Sequence, residues 1–231
     1  MSLPVFDTPT YTCKLPSSGE TVKYRPFLVK EQKQLLMAAS GSAEQQIDAV
    51  ENIIASCSFG KLDPKKMPNF DIEYLFMQIR AHSVGENIEL NLTCGCGEKT
   101  TGVLDITTVE VKKDVGHTNT IELDQNLTLV MRYPRMREVE EMLQAGNVDG
   151  IIKLIAKNID SIWQNDEKYS AMDYSVAELI EFVEGLSPAS LDKIESFFST
   201  MPVLSHEIEW DCSACGEHNK VTLEGMQSFF G

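Results

Sequence analysis

The chain has 231 residues, enough for one large domain or two small ones with hydrophobic cores of their own. Its formal net charge of −15 argues against general binding to nucleic acid or to anionic lipid, because both need a basic protein surface. The sequence has neither an apolar run of about 18 residues nor a signal-peptide pattern. We therefore expect a protein made and kept in a cytoplasm, with neither nucleic acid nor membrane among its partners.

The first third of the chain predicts a β-hairpin followed by three helices. Two alternating runs flank a Pro/Ser/Gly turn, and Pro26 places the second run at a sheet edge or ends it there. Ser42 with Gln45 forms a capping box for the second helix, and Asp71 is expected to cap the third. The expected elements are a hairpin at residues 10–27 and helices at 30–39, 42–57 and 72–80.

The middle of the chain predicts a second strand pair followed by a long helical stretch. The strand pair covers residues 120–133, on either side of a polar turn. We expect helices throughout residues 135–200, because isoleucines recur at helical spacing over residues 151–163. Ser175 and Ser187 are expected to cap the last two of these helices.

Two cysteine pairs stand out, each at the turn between two alternating runs. Residues 94–98 read Cys-Gly-Cys-Gly-Glu, and residues 212–217 read Cys-Ser-Ala-Cys-Gly-Glu. Cysteines with a glycine at a hairpin tip are typical of a zinc knuckle, and two knuckles supply the four thiolates of a closed tetrahedral site. The sequence therefore predicts one structural zinc ion per chain. Its expected ligands are Cys94, Cys96, Cys212 and Cys215.

Some alternatives to this zinc site stay open at the sequence level. A disulfide is disfavoured in a reducing cytoplasm. The first pair is one residue shorter than the usual C-x-x-C spacing, which could distort the site. His117, His206 or His218 could substitute for a cysteine that does not reach the metal.

Nothing in the sequence predicts an enzyme. The chain contains no nucleophile elbow, phosphate loop, dinucleotide fingerprint or His-Glu-x-x-His motif. Four thiolates would leave the metal no open position for water, which argues against metal catalysis. The basic cluster of Arg132, Arg135 and Arg137 is interpreted as surface charge, with a contact patch as the alternative.

These patterns predict an α+β protein: short antiparallel β-hairpins, a helical layer, and a zinc-ribbon-like clasp built from two distant cysteine knuckles. Residues 1–133 would hold the hairpins, the first helices and the first knuckle. Residues 134–200 would form a helical insertion. Residues 201–231 would carry the second knuckle and a tail, packed with the first part.

Five segments of the first hundred residues, 15–19, 24–33, 35–38, 70–76 and 80–86, are followed in order by the two cysteine clusters. In these segments the chain resembles the baseplate hub proteins of T-even-type contractile-tailed bacteriophages. This resemblance implies a viral structural or assembly protein of the virion tail, assembled in the host cytoplasm, and not an enzyme.

The same resemblance implies partners among the other hub, spike, tube or wedge proteins, and multiple copies in a symmetric ring. The family it points to contains incorporated hub subunits and a non-structural assembly chaperone, which the sequence does not separate. A zinc-ribbon regulator that binds nucleic acid is a further alternative, against which the charge counts.

Two segments are candidates for contacts with partners. The Tyr-Arg-Pro-Phe segment is nominated as an interaction surface, with packing at a sheet edge as an equal alternative. The Phe-Phe segment is expected to dock on its own chain or, alternatively, to insert into a neighbouring subunit. The candidate interaction residues are Tyr24, Arg25, Pro26, Phe27, Phe229 and Phe230.

Overall fold

The structure, a computed structural model, describes residues 7–145, 148–226 and 228. These residues form seven α-helices and eleven strands, all paired antiparallel in small sheets, so the predicted α+β class is confirmed. The helices are α1 (Val29–Ala38), α2 (Ala43–Cys57), α3 (Asn69–Val84), α4 (Met136–Ala145), α5 (Val148–Lys157), α6 (Val176–Glu184) and α7 (Pro188–Thr200). The strands are β1 (Tyr11–Lys14), β2 (Thr21–Tyr24), β3 (Asn87–Thr93), β4 (Lys99–Asp105), β5 (Glu110–Lys112), β6 (Thr120–Glu122), β7 (Leu127–Met131), β8 (Ile159–Gln164), β9 (Glu167–Ser170), β10 (Val203–Asp211) and β11 (His218–Glu224).

The chain divides into two compact units. Unit 1 consists of Met1–Lys112 and Val203–Gly231, and unit 2 is Lys113–Pro202. The sequence prediction assigns the strand pair at 120–133 to the N-terminal segment, whereas the structure includes it in unit 2. The reason is that β7 pairs with β8, which lies later in the same unit.

In its described residues, unit 1 contains three small sheets and the helices α1, α2 and α3. β1 and β2 form one hairpin, β3 and β4 form a second, and β10 pairs with both β11 and β5. The helices α2 and α3 bury fully enclosed aliphatic side chains, among them Ile53, Ile54 and Ile72. Each such side chain contributes about 1.5–3 kcal/mol relative to its exposed state. Unit 1 therefore gathers elements from both ends of the described chain around one set of helices.

Unit 2 is organised around a four-stranded antiparallel sheet in the order β6-β7-β8-β9. Leu129 of β7, Ile155 of α5 and Ile194 of α7 are fully enclosed in its core. Ser175 and Ser187 cap α6 and α7 as the sequence predicts, each accepting a hydrogen bond from a backbone N–H three residues later.

One helical prediction in unit 2 is wrong. Residues 151–163 were expected to form one helix, but α5 ends at Lys157 and the hairpin β8–β9 follows. Asn165 and Asp166 take positive φ values of 48° and 67° between the two strands, which is the backbone of a tight hairpin turn. Isoleucine is β-branched, so spacing alone does not decide between helix and strand here.

The start of α3 also differs from the prediction. The helix begins at Asn69, after Pro68, rather than after a capping Asp71. Asp71 is instead buried, and its carboxylate accepts hydrogen bonds from the backbone N–H (3.0 Å) and the hydroxyl of Ser17. Asp71 therefore ties the hairpin loop between β1 and β2 to α3.

An arginine–glutamate clamp orients the first helix of unit 1. The guanidinium of Arg25 donates to Glu31 at 2.9 Å, and the other Glu31 oxygen accepts the N–H of Leu28 at 2.8 Å, where α1 begins. The backbone N–H of Arg25 donates to the carbonyl of Cys57, at the end of α2, at 3.0 Å. The clamp thus joins the end of β2 to both helices.

Unit 2 contains a clamp of the same design. Arg132 donates to both carboxylate oxygens of Glu138, at 2.8 and 2.6 Å, and Glu138 accepts the N–H of Arg135 at 2.9 Å, where α4 begins. The backbone N–H of Arg132 donates to the carbonyl of Asn158, just after α5, at 2.8 Å. Each unit therefore opens with a hairpin, an Arg–Glu clamp and two helices.

Candidate metal centre

Two β-hairpins of unit 1 carry the four cysteines at their tips. The register of β3 with β4 runs as far as Thr93↔Lys99, which leaves residues 94–98 as one tip. The register of β10 with β11 runs as far as Asp211↔His218, which leaves residues 212–217 as the other. Both knuckles are therefore formed as the alternating runs predict.

The two tips close with turns of different length. The N–H of Gly97 donates to the carbonyl of Cys94, and the N–H of Gly216 donates to the carbonyl of Cys212, both at 2.9 Å. Gly97 and Gly216 have φ values of +91° and +72°, a region that favours glycine. The additional residue of the second tip is thus taken up by a wider turn, and the short C-x-C spacing still brings both thiols into the cluster.

The four thiols face one another across the two tips. All four Sγ atoms lie within 4.8 Å of one another, and each of the four cysteines is free. Cys94 Sγ lies 3.7 Å from Cys215 Sγ, and Cys96 Sγ lies 3.7 Å from Cys212 Sγ, so each close pair joins the two hairpins. A tetrahedral ion with metal–sulfur bonds of about 2.3 Å separates its ligands by about 3.8 Å. The arrangement can therefore hold one metal ion.

Backbone amides and neighbouring thiols set the protonation of this cluster. The N–H groups of Cys215 and Ala214 donate to the Cys212 sulfur and lower its pKa to about 7. The N–H of Glu217 lowers the pKa of Cys215, but the thiols of Cys212 and Cys96 raise it by more, to about 12. A bound cation favours the thiolate form of every ligand, so metal binding and loss of the thiol protons are coupled.

A hydrophobic cluster beneath the knuckles fixes the two hairpins in place. It combines one face of α3 with side chains from β3, β4 and β10, and with the segment between β4 and β5. Two of the cysteines, Cys94 and Cys212, are themselves buried at 3 % exposure. The enclosed members of this cluster are Met77, Ala81, Ile88, Leu104, Ile106, Val109 and Leu204.

Glu217 is a further neighbour of the site that the cysteine pattern does not predict. Its carboxylate lies 3.7 Å from the Cys94 sulfur of the opposite hairpin. The histidines considered as substitute ligands are not part of the cysteine cluster. His117 contacts Thr200 and Tyr133 in unit 2, and His218 pairs with Asp211 at the last strand pair before the tip of its own hairpin.

The Tyr-Arg-Pro-Phe segment is largely engaged within unit 1. Tyr24 is 1 % exposed, and its hydroxyl lies 3.2 Å from His82 Nδ1. Arg25 belongs to the clamp, Pro26 is buried, and Phe27 is partly exposed. These positions favour packing over the interaction surface for the first three residues. Phe229 and Phe230, the other candidates, lie outside the described residues.

The fold and site define an α+β protein in which a four-cysteine centre ties together two hairpins from distant parts of the chain. Among the described residues, no helix is both long and apolar enough to cross a membrane. A family model described as T4 bacteriophage base plate protein matches residues 8–231, so the chain belongs to this family of phage baseplate proteins. Neither the curated proteins nor the solved structures gave a match.

Proposed function

We propose that this chain is a structural component of the baseplate hub in the phage tail, acting through protein–protein interfaces during tail assembly. The observation that carries the proposal is the match of residues 8–231 to the baseplate family. Its partners would be other hub, spike, tube or wedge proteins, with several copies arranged in a ring. The net charge of −15 fits this role, since it keeps a protein soluble before it assembles.

We also propose that the metal is zinc and that its role is structural. Four thiolates are the ligand set that structural zinc prefers, and the 3.7 Å sulfur pairs fit the edges of a tetrahedron of that size. A shell of four cysteines leaves no position for a substrate or a reactive water. We therefore propose no catalytic role for the metal ion.

Mass spectrometry of purified virions tests the hub role. The chain should be present in a fixed ratio to the other baseplate proteins, with a tail-tube protein as the internal reference. The same measurement on assembly intermediates from one lysate provides the comparison. A chain found in the intermediates but absent from the virions would instead be an assembly chaperone.

Association with baseplate proteins gives a second, independent test. Purified chain mixed with hub, spike, tube and wedge proteins should form a complex that survives size-exclusion chromatography. A chain that remains monomeric and unbound in all of these mixtures contradicts the proposed role.

Metal analysis tests the zinc assignment separately. Protein purified without added metal should contain about one zinc ion per chain, and a chelator should remove it together with the near-ultraviolet signature of folded unit 1. A metal-free protein whose melting temperature is insensitive to the chelator contradicts the assignment.

A further inference from the structure

Unit 2, which carries none of the four clustered cysteines, contains a pocket of its own. The pocket has a volume of about 370 Å³ and lies between α6 and the strands β7, β8 and β9. Leu127, Ile162 and Leu179 supply an apolar part of its lining and also belong to the core of unit 2. Volumes of about 300–1,000 Å³ are typical of small-ligand sites, so the pocket is large enough to admit one long side chain.

Three aromatic side chains complete this lining, and we call the site they border the aromatic pocket. They are Tyr169 of β9, Tyr174 just before α6, and Phe182 of α6. Phe182 packs against the core, and the hydroxyl of Tyr169 donates to Glu167 at 2.9 Å. The backbone N–H of Tyr174 donates to the carbonyl of Ala171 at 3.3 Å. Each ring is therefore carried by an anchored part of unit 2.

The aromatic pocket also contains a carboxylate. One oxygen of Glu178 accepts hydrogen bonds from the backbone N–H and the hydroxyl of Ser175, at 2.8 and 2.7 Å. These bonds hold the pKa of Glu178 below its usual value, so the side chain is charged at neutral pH. The other Glu178 oxygen has no hydrogen-bond partner in the described part of the chain. It is therefore available to a donor that enters the pocket.

No cation of unit 2 is placed to neutralise this carboxylate within the pocket. Among the described residues, no lysine or arginine lines it. Residues 166–184, which border it, include six acidic side chains and a single lysine. That lysine, Lys168, lies over the ring of Trp163 at 5.8 Å, and it precedes Tyr169 on β9, so the two side chains point to opposite faces of the sheet. The surroundings of the pocket therefore favour a positively charged occupant.

We propose that the aromatic pocket binds the guanidinium group of an arginine on a partner protein. Aromatic rings attract a cation, and a guanidinium is planar, stacks on such rings and donates hydrogen bonds to a carboxylate. An apolar side chain would cover Glu178 without pairing its charge, and an anionic group would be repelled by it. The inference concerns this pocket alone and is independent of the proposed hub role.

Titration with a matched pair of small molecules tests the occupant. N-acetyl-argininamide is added to the ¹⁵N-labelled full chain, and N-acetyl-citrullinamide, which has nearly the same shape but no charge, is the control. The arginine compound should shift the amide signals of Tyr169, Tyr174 and Phe182 saturably, and the citrulline compound should bind about tenfold more weakly or not at all. Equal affinities for the two compounds, or saturable shifts only elsewhere in the chain, overturn the proposal.

A matched pair of charge variants tests the role of the carboxylate. Glu178→Gln removes the charge but keeps a residue that suits this position of a capping box, so α6 should remain intact. It should weaken binding of N-acetyl-argininamide by about threefold or more, because it replaces a charged hydrogen bond with a neutral one. Glu181→Gln removes the same charge from an exposed position of α6 that does not line the pocket, and should leave the affinity unchanged. Equal losses in the two variants would mean that only the overall charge matters and would overturn the proposal.

A second pair of variants tests the aromatic contact. Tyr174 is 40 % exposed, so both Tyr174→Phe and Tyr174→Leu should fold as the parent does. Tyr174→Phe keeps the ring and should bind N-acetyl-argininamide as the parent does. Tyr174→Leu keeps an apolar side chain without the ring, and should bind about two- to fivefold more weakly, as expected for a cation–π contact at an exposed site. Equal affinities of the Phe and Leu variants contradict the proposed stacking.

Discussion

The two units begin alike and are completed differently. In each, a hairpin leads through an arginine to a ten-residue helix, and that arginine clamps a glutamate six residues later. The clamp of unit 1 is the more buried, since the side chains of Arg25 and Glu31 are 13 % and 3 % exposed. Those of Arg132 and Glu138 are 27 % and 11 % exposed. The two units therefore share the arrangement of their first hairpin, Arg–Glu clamp and first helix, but not the structure of their cores.

The difference lies in what supports the remaining strands. In unit 2 the opening hairpin is extended by β8 and β9 into a four-stranded sheet over one continuous core. In unit 1 the hairpins β1–β2 and β3–β4 remain two-stranded, and such hairpins are marginal on their own. The four cysteines of unit 1 are the groups that could compensate for the missing sheet, with the metal ion proposed above. Unit 2 thus joins its strands by sheet hydrogen bonds, whereas unit 1 brings the tips of β3–β4 and β10–β11 together through their cysteines.

Removing one cysteine of the cluster should produce the largest difference in stability between the two units. With zinc bound as proposed, Cys212→Ser should lower the unfolding free energy of unit 1 by several kcal/mol, because metal-binding energy is folding energy at such a site. Hydrogen exchange should accelerate in β3, β4, β10 and β11 while the amides of β7 and β8 stay protected. Cys13→Ser, which lies outside the cluster, is the control and should retain the metal. Uniform acceleration across both units would contradict this division.

A cavity in the core of unit 2 should destabilise unit 2 and leave the cysteine cluster of unit 1 unaffected. Leu129 is fully enclosed, so Leu129→Ala should lower the unfolding free energy of unit 2 by about 2–5 kcal/mol. Its metal content, measured by elemental analysis, should equal that of the parent. Val115→Ala, at a fully exposed position of the same unit, should change neither quantity. Metal lost from the Leu129→Ala variant would show that the two cores are not independent.

Breaking the clamps should give a smaller effect in both units. Glu31→Gln and Glu138→Gln each weaken charged hydrogen bonds, which are worth about 1.5–3 kcal/mol, and the loss should be larger at the more buried Glu31. Denaturant unfolding of the two variants measures the difference. Glu44→Gln, at an exposed position in the first turn of α2, serves as the control. A larger loss at Glu138 than at Glu31 would reverse the proposed ranking.

The pH dependence of the clamps is the smallest of these effects. Burial alone would raise the pKa of Glu31, but hydrogen bonds from Arg25 and from the N–H of Leu28 hold this pKa below its usual value. The pKa of Glu138 is likewise lowered, by Arg132 and the N–H of Arg135 against the effect of burial.

A depressed carboxyl pKa stabilises the folded state above the pKa of the unfolded chain, about 4.3, and this stability is lost as the pH falls through the folded pKa. The stability difference between the parent and Glu31→Gln should therefore shrink as the pH falls below about 4.3. A difference that grows on acidification would contradict the assigned sign.

The sequence was informative where signals are short-range. Glycine beside cysteine predicted both hairpin tips, and Ser175 and Ser187 predicted the starts of two helices. Each of these signals depends only on residues a few positions apart. Spacing of isoleucines misled at residues 159–163, where pairing with β7 decides the conformation. The clamps were missed because Arg25 and Arg132 meet the ends of α2 and α5, contacts that only the folded chain creates.

The clasp also has a consequence for the order in which the protein forms during synthesis. Cys94 and Cys96 leave the ribosome before any residue of unit 2, whereas Cys212 and Cys215 follow the last of them. Domains commonly fold in the order of translation, from the N-terminus onward. Unit 2 can therefore be complete while unit 1 still lacks two of its four clustered cysteines. Synthesis begins with unit 1 and also ends with it, so unit 1 is the last to have all of its residues available for folding.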